Sequence, residues 1–238
     1  MMKPLKILWK FPCRGRKDMF FESLDSLNNN IRDRSNYRIS LTLDTDDPIL
    51  NCDEVIKRLY EYENVSIEWG KSDSKVHAIN RSMPDYDWDV LICWSQDMFL
   101  TMYGADDIMR DAFYNIINNN GDEFLVHFPE MDAKEWLNVL YIASRKYYQR
   151  FNYIYHPSYL SLWCDNESMK VAQILGKYHY IGTPGLYIHK NPAYTHHGIE
   201  RDELFNYHQS LWDVDEKNFR QRELNNFDLN LVTDIKQF

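Results

Sequence analysis

The stretch "ICWSQDMF", residues 92–99, joins the end of an apolar run to a polar loop. The run is typical of a buried strand; it stops at Trp94, and Ser95, Gln96 and Asp97 follow at once. A carboxylate in this position is either a turn residue or part of a site at the end of a strand. The neighbouring segments bear on which of these two interpretations holds.

Strand-like and helix-like segments alternate through the first half of the chain. The expected strands lie at residues 5–11, 37–43, 65–69 and 89–94, and the expected helices at 16–30, 52–62 (with Asn51 as N-cap) and 74–81. This alternation predicts a parallel sheet with helices on both faces. Ligands of such sheets bind at the carboxyl ends of the strands, so residues 95–97 and the loop "DTDD" at 44–47 are expected at one edge.

The second half of the chain is less regular. The expected elements are helices at 106–117 and 164–176, the latter stopped by Gly176, and strands at 123–128, 137–144, 178–182 and 186–189. The sequence contains no internal repeat or low-complexity linker. We therefore expect one α/β domain of catalytic type over residues 1–199. A C-terminal extension over 200–238 is expected to form one long helix, through which the chain can form oligomers.

Composition narrows the class of protein. The 238 residues are 44% hydrophobic, enough for a sizeable core, and the formal charge of −9 gives no general footprint for nucleic acid. The four cysteines are widely spaced and form no C-x-x-C pair, which argues against a zinc ribbon or a disulfide framework. No segment is suited to a signal sequence or a membrane span, so we expect a cytoplasmic protein, in the host cytoplasm if it is virus-encoded.

Several acidic residues and one histidine follow different predicted strands or open a helix. They are Asp44, Asp46, Asp47, Asp97, Asp165, Glu167 and His189. Taken singly, each has a structural explanation: Asp46 and Asp47 suit a turn before Pro48, Asp165 suits a helix N-cap, and a lone histidine suits a hydrogen-bonded core position. Taken together, they suit a nucleotide with its divalent metal, which needs oxygen and imidazole ligands from separate loops.

The order of these features resembles a known family. The succession "LTLDTDDP", "GKSDSKVHAINR", "ICWSQDMF", "LWCDNESMKVAQILGK" and "YIHKNP" resembles the GT-A glycosyltransferases over roughly residues 5–192. Within them it is most similar to the large family 2, which uses nucleotide-diphosphate sugars. The resemblance implies a Rossmann-like, mostly parallel sheet flanked by helices. It also implies a nucleotide sugar such as a UDP-sugar as donor, and Mn²⁺ or Mg²⁺ as cofactor.

The same resemblance assigns roles to individual residues. Asp44 takes the position that contacts the nucleobase, and Lys75 the position of a basic residue near the base or the phosphates. Asp97 matches the last carboxylate of a D-x-D-type motif that holds the cation, and His189 falls where a late histidine completes the metal site. Asp165 matches the catalytic base.

The metal motif departs from the family pattern. Ser95 and Gln96 stand where the family often has carboxylates. Gln96 can hydrogen-bond a ribose hydroxyl, but a neutral amide is a poorer ligand for a hard cation than a carboxylate. Asn191 stands where related sequences can have a second histidine.

Other residues offer weaker signals. Arg14 and Arg16 in "CRGR" follow the first strand, where they either reach phosphates or form a solvated basic loop. His196 and His197 are adjacent, so we expect their side chains to point apart and to be surface or acceptor-loop residues rather than a zinc pair. The aromatic residues expected near the catalytic base, as sugar platforms or core, are Tyr153, Tyr155, Tyr159 and Trp163.

These features favour a metal-dependent transferase that moves a sugar from a nucleotide-diphosphate sugar to an acceptor hydroxyl. A single base, Asp165, implies inversion at the anomeric carbon, and Glu167 is the fallback for this role. The acceptor is a glycan or a modified base of viral DNA. One alternative is a nucleotidyltransferase, which usually needs a glycine-rich phosphate loop where this chain has only Gly15. The other is a nucleotide-sugar-binding module without turnover, which Gln96 motivates.

Overall fold

A computed structural model describes residues 3–130, 132–183 and 185–229. Its elements in chain order are β1 (Ile7–Cys13), α1 (Lys17–Asn30), β2 (Tyr37–Asp44), α2 (Asp53–Leu59), β3 (Val65–Gly70), α3 (Lys75–Asn80), β4 (Val90–Cys93), β5 (Met98–Leu100), α4 (Ala105–Asn120), β6 (Leu125–His127), β7 (Ile142–Ser144), α5 (Arg145–Phe151), α6 (Cys164–Ile174), β8 (Tyr178–Tyr180), β9 (Tyr187–His189), α7 (Glu203–Ser210) and α8 (Trp212–Leu224).

Within the described ranges, seven strands form one sheet in the order β3-β2-β1-β4-β7-β6-β8. β1 pairs in parallel with β2 and β4, and β2 with β3, as the alternation of strands and helices predicted. β7 runs antiparallel to both of its neighbours, while β6 and β8 are parallel. β5 and β9 form a separate antiparallel pair. The predicted class, an α/β fold with a mostly parallel sheet, is confirmed.

The central strand β1 is buried on both faces. Trp9 and Phe11 lie in one core cluster together with Phe20 and Leu24 of α1, and Leu8 lies in the cluster on the opposite face. A strand covered on both sides needs apolar residues at consecutive positions rather than at alternate ones. This is why β1 appears in the sequence as an almost continuous apolar run.

The structure corrects three local expectations. The N-cap of α2 is Cys52 rather than Asn51, whose amide donates instead to the Thr45 carbonyl at 2.9 Å. The strand β5 and the helix α5 were not predicted, because each is short and β5 directly follows a polar loop. A serine starts α5: the Ser144 hydroxyl accepts the backbone N–H of Tyr147.

The C-terminal segment does not form one long helix over the residues described. It divides at Leu211 into α7 and α8. Both helices contact the same part of the chain: His208 of α7 is hydrogen-bonded to Ser161, and Asp215 of α8 accepts the backbone N–H of Ser161. The segment therefore bends around this contact. Residues 230–238, part of the expected helix, lie outside the described residues.

Two further expectations from composition can be compared with the structure. The four cysteines are free, and three of them are buried. Among the residues described, no helix combines the length and the apolar character that crossing a membrane demands.

One lysine lies inside the sheet region without a carboxylate bound to it. Lys10 of β1 is fully buried, and its ammonium donates to the Thr42 hydroxyl and to the Ser82 carbonyl. Burial lowers the pKa of Lys10 to about 8, since a cation loses its hydration there. The protonated side chain therefore costs stability at neutral pH.

We expect the stability advantage of Lys10→Met over the wild-type protein to be larger at pH 7 than at alkaline pH. Between the folded-state pKa of about 8 and the ordinary value of 10.5, the unfolded state of the wild type binds more protons at Lys10 than its folded state does. The wild-type protein therefore gains stability as pH rises through this window. The difference in unfolding free energy between the variant and the wild type should shrink by about 2 kcal/mol from about pH 7 to about pH 9.5. Urea unfolding of both proteins measures it; a constant difference would contradict the lowered pKa.

Candidate functional site

The carboxyl ends of several strands meet at one edge of the sheet. β1, β2 and β4 are parallel, and two successive antiparallel pairings through β7 bring β6 into the same direction. The residues that end or follow these strands are Arg14 and Arg16 after β1, Asp44 on β2, Gln96 and Asp97 after β4, and Glu130 after β6. The expectation that the loops at 44–47 and 95–97 share an edge is confirmed.

Asp97 and His189 are brought together by the small sheet. β5 and β9 pair with Met98 opposite His189, and the backbone N–H of Lys190 donates to the Asp97 carbonyl at 2.7 Å. His189 Nε2 consequently lies 3.4 Å from Asp97 Oδ1. The Ser95 hydroxyl also donates to Oδ1. Ser95 and His189, from two segments distant in the sequence, thus both contact one buried carboxylate.

The pair is electrostatically coupled. Burial alone would raise the pKa of Asp97, but the charge and hydrogen bond of His189, with the hydrogen bond from Ser95, leave that pKa lowered. Burial would lower the pKa of His189, but Asp97 outweighs it and the pKa is raised. A carboxylate oxygen and an imidazole nitrogen are ligands that suit Mn²⁺, and imidazole suits Mg²⁺ less well. The donor set therefore fits a cation whose remaining positions are filled by phosphate oxygens or water.

Asp165 lies in the first turn of α6, near these residues. Burial raises the pKa of Asp165, while the hydrogen bond from the Asn166 backbone and the charge of Lys75 oppose the shift. The charge of Lys75, the first residue of α3, also acts to lower the pKa of Asp97 and opposes the rise in the pKa of His189. The predicted phosphate-side lysine therefore acts electrostatically on the predicted base and on both predicted metal ligands.

The structure makes two simpler roles in α6 untenable. The N-cap of the helix is Trp163, not Asp165, so Asp165 is not there as a cap. Glu167, the fallback base, is buried and accepts two hydrogen bonds from the Arg222 guanidinium, at 2.7 and 2.8 Å, and one from the Tyr159 hydroxyl at 2.7 Å. Both of its oxygens are therefore occupied by a structural ion pair.

Asp44 is the centre of a second group of charges at the same edge. Its Oδ2 accepts from Arg14 at 3.0 Å, and its Oδ1 accepts from Arg81 at 3.0 Å and from the Ser72 hydroxyl at 2.6 Å. Arg81 was missed in the sequence, although it ends the quoted motif "GKSDSKVHAINR". A Cβ at Gly70 would lie 2.6 Å from the Arg81 guanidinium, so a larger residue at this position would push Arg81 away from its place beside Asp44.

The amide of Gln96 binds backbone. Its Oε1 accepts the N–H of Arg14 at 3.2 Å, and its Nε2 donates to the Arg14 carbonyl at 3.1 Å. We expected this side chain to be available to a ribose hydroxyl. In the structure it joins the loop after β1 to the loop after β4, and so positions both.

Arg16 connects the metal motif to the C-terminal helices. Its guanidinium binds both oxygens of Asp202, at 2.5 and 2.6 Å, and lies 3.9 Å from Asp97 Oδ2. Asp202 is in turn the N-cap of α7, where it accepts the N–H of Phe205. Arg16 is therefore not a solvated loop residue, because Asp202 binds its guanidinium and Asp97 lies close to it.

The aromatic residues before α6 serve mainly as core. Tyr155 and Tyr159 are buried in the same apolar cluster as Tyr147. Trp163 packs its ring against Trp212 and Phe219 of α8, with ring centroids 5.3 and 5.2 Å apart. These three residues are thus committed to packing.

The sequence did not identify Glu130 as a residue near the site. Glu130, after β6, is buried, and its charge raises the pKa of His189. An acid at the end of a strand was a signal that could have identified it.

His196 and His197 do not point apart, which corrects the sequence prediction. In the 3-10 helix Thr195–His197, their Nε2 atoms lie 3.1 and 2.8 Å from the two oxygens of Asp132.

Solved structures with the same fold are glycosyltransferases. The Staphylococcus aureus protein TarS (residues 1–349) is 12% identical, with a TM-score of 0.57 over 77% of this chain and 60% of that one. A Pyrobaculum calidifontis mannosyltransferase solved with GDP-mannose and Mn²⁺ is 11% identical, with a TM-score of 0.60 over 77% of this chain and 56% of that one. Glucosyl-3-phosphoglycerate synthase from Mycobacterium tuberculosis is 12% identical, with a TM-score of 0.51 over 79% and 71%.

These likenesses confirm the GT-A fold that the sequence motifs implied. The chain spans 60% and 56% of the lengths of the first two structures. No protein-family model and no curated protein matches the sequence.

The two acids of α6 are expected to respond oppositely to neutralisation. Glu167→Gln should lower the free energy of unfolding by up to about 3 kcal/mol, because it removes the buried carboxylate that binds Arg222 and leaves the half-exposed Asp228 as the partner of that guanidinium. Asp165→Asn should leave stability unchanged or raise it, since burial opposes the ionised carboxylate there. Denaturant unfolding of the two variants tests this difference. A destabilised Asp165→Asn beside an unaffected Glu167→Gln would reverse the roles assigned here.

Proposed function

We propose that the chain is a metal-dependent glycosyltransferase that transfers a sugar from a nucleotide-diphosphate sugar to an acceptor hydroxyl. The observation that carries this proposal is the meeting of Asp97 and His189 through the β5–β9 pair, at the edge where Asp44 ends β2. The GT-A fold supports it, as do solved neighbours named with GDP-mannose and Mn²⁺ or with UDP.

The donor is proposed to lie along this edge. Asp44, Arg14 and Arg81 line the end that receives the nucleobase, where hydrogen-bonding groups are already held in place by one another. Lys75 is exposed, and its positive charge, which also acts on the pKa of Asp97, suits a phosphate. A UDP-sugar is the donor we would test first.

Asp97 and His189 are proposed to hold the divalent cation. When bound, Mn²⁺ or Mg²⁺ neutralises the negative charge that develops on the departing pyrophosphate. Arg16, 3.9 Å from Asp97, adds a fixed positive charge at the same place. Ser95 keeps the Asp97 carboxylate oriented through its hydrogen bond.

Asp165 is proposed to act as the general base. It accepts the proton of the acceptor hydroxyl while the acceptor oxygen bonds to the anomeric carbon and the nucleoside diphosphate leaves with the electron pair of the broken C–O bond. Attack from the face opposite the leaving group inverts the anomeric configuration. Its raised pKa suits a group that must both accept and later release a proton.

One of the two rival functions fits the structure less well. A nucleotidyltransferase usually needs free backbone N–H groups in a phosphate loop, but the N–H of Gly15 is bound by the Asp47 carboxylate at 2.6 Å. A binding module without turnover would bind nucleoside diphosphate without hydrolysing or transferring the donor sugar. Mass spectrometry separates these functions. Nucleotide sugars are incubated with the protein and an acceptor, which is either a glycan or duplex DNA carrying a hydroxylated base.

Asp97→Ala is expected to abolish metal-dependent nucleotide binding. The variant removes the only carboxylate ligand proposed for the cation, which His189 alone cannot replace. Calorimetric titration with UDP, with and without Mn²⁺, measures the effect. Asp122→Ala is the matched control, an exposed aspartate in the loop before β6. An unchanged metal response in Asp97→Ala would refute the assignment.

Asp165→Asn is expected to separate binding from chemistry. The amide keeps the shape of the side chain but cannot take a proton, so donor affinity should persist while transfer falls by roughly 10²- to 10⁴-fold. Donor affinity, turnover and melting temperature are measured on the same sample, with Asp122→Asn as control. Full turnover in Asp165→Asn would mean that the base lies elsewhere.

A further inference from the structure

A cluster of metal-ligand type lies outside the proposed donor site. Asp132, His196 and His197 each offer one ligand atom, and these atoms all lie within 4.8 Å of one another. His197 and Asp132 are largely buried, whereas the side chain of His196 is 53% exposed. The cluster joins a loop after β6 to the 3-10 helix after β9, two segments far apart in the sequence.

The loop that carries Asp132 is held to Glu130. The Glu130 carboxylate accepts the backbone N–H of Ala133, and the Glu130 carbonyl accepts the backbone N–H of Lys134 at 3.2 Å. The residues that follow Asp132 are therefore tied to the segment after β6.

The three groups converge on one point. The two imidazole rings lie 4.2 Å apart, and each directs its Nε2 at a different oxygen of the same carboxylate. A single divalent cation between the three groups would take the lone pairs of both nitrogens and one carboxylate oxygen.

We propose that Asp132, His196 and His197 form a second metal site, selective for Zn²⁺ or a similar transition-metal ion. Zinc binds imidazole nitrogen at about 2.0–2.1 Å and carboxylate oxygen at about 2.0–2.2 Å, so tetrahedral ligands lie roughly 3.3 Å apart. The observed separations of 2.8 and 3.1 Å join the two nitrogens to different oxygens of Asp132, and the ligand atoms all lie within 4.8 Å of one another, so small side-chain rotations bring the three groups to this spacing. The exposed side of His196 leaves the fourth position to water.

The ligand set distinguishes this site from the one at Asp97. Two imidazoles favour Zn²⁺ over Mn²⁺, following the general order of affinities of divalent metals. One consequence is structural: the ion would cross-link the loop after β6 to the segment that follows His189. Zinc would therefore stiffen the chain next to the proposed donor site without entering it.

The test uses untagged, metal-free protein carrying Asp97→Ala, so that the proposed donor-site cation does not contribute. Calorimetry with Zn²⁺ and the visible absorption of bound Co²⁺ measure binding. In this background His196→Ala and Asp132→Asn are added singly. His77→Ala is the matched control, because His77 also faces a single aspartate, Asp73, and its side chain is 45% exposed.

We expect one equivalent of Zn²⁺ to bind and Mn²⁺ to bind more weakly. The affinity for Zn²⁺ should fall at least about tenfold in both cluster variants, because removing even an outer partner of a metal site commonly costs that much. The His77→Ala control should bind as its parent does. Thermal melting shows whether each variant is folded. Absence of stoichiometric binding, equal affinity in His196→Ala and His77→Ala, or a preference for Mn²⁺ would overturn the proposal.

Discussion

Parallel strand pairing is the constraint on which this site depends. It places the ends of β1, β2 and β4 side by side, and with them several acids that would repel one another if left alone. Two of these acids contact basic side chains: Asp44 contacts Arg14 and Arg81, and Asp97 contacts His189. These contacts offset the repulsion between the acids at the edge, and a ligand that carries both a cation and phosphates brings charges of both signs to the same place.

The second constraint is the β5–β9 pair. Three residue pairs suffice to fix its register, and a shift by one residue would turn His189 to the other face and away from Asp97. The coupling of the two side chains then favours the charged form of each. A short strand pair and one ion pair thus support each other, since neither segment is long enough to be stable alone.

The sequence predicted what local periodicity controls. The first four strands, the helices between them and the shared edge follow from apolar patterns and from the polar residues that end each strand, as at Asp97. Contacts between distant residues were beyond such patterns. Nothing near Glu167 indicates that Arg222 would neutralise it, and the adjacent His196 and His197 converge only because the separate loop at Asp132 lies between their Nε2 atoms.

The C-terminal helices are tied to the segment that presents the proposed base. Asp215 of α8 accepts three consecutive backbone N–H groups, those of residues 160–162, and Arg222 of the same helix holds Glu167. These bonds flank Asp165 on both sides along the chain, so its position depends on α8 as much as on its own helix. Since Arg16 bonds the start of α7 while it faces Asp97, the same C-terminal helices also contact the metal motif. A displacement of α7 and α8 would therefore change both halves of the proposed chemistry together.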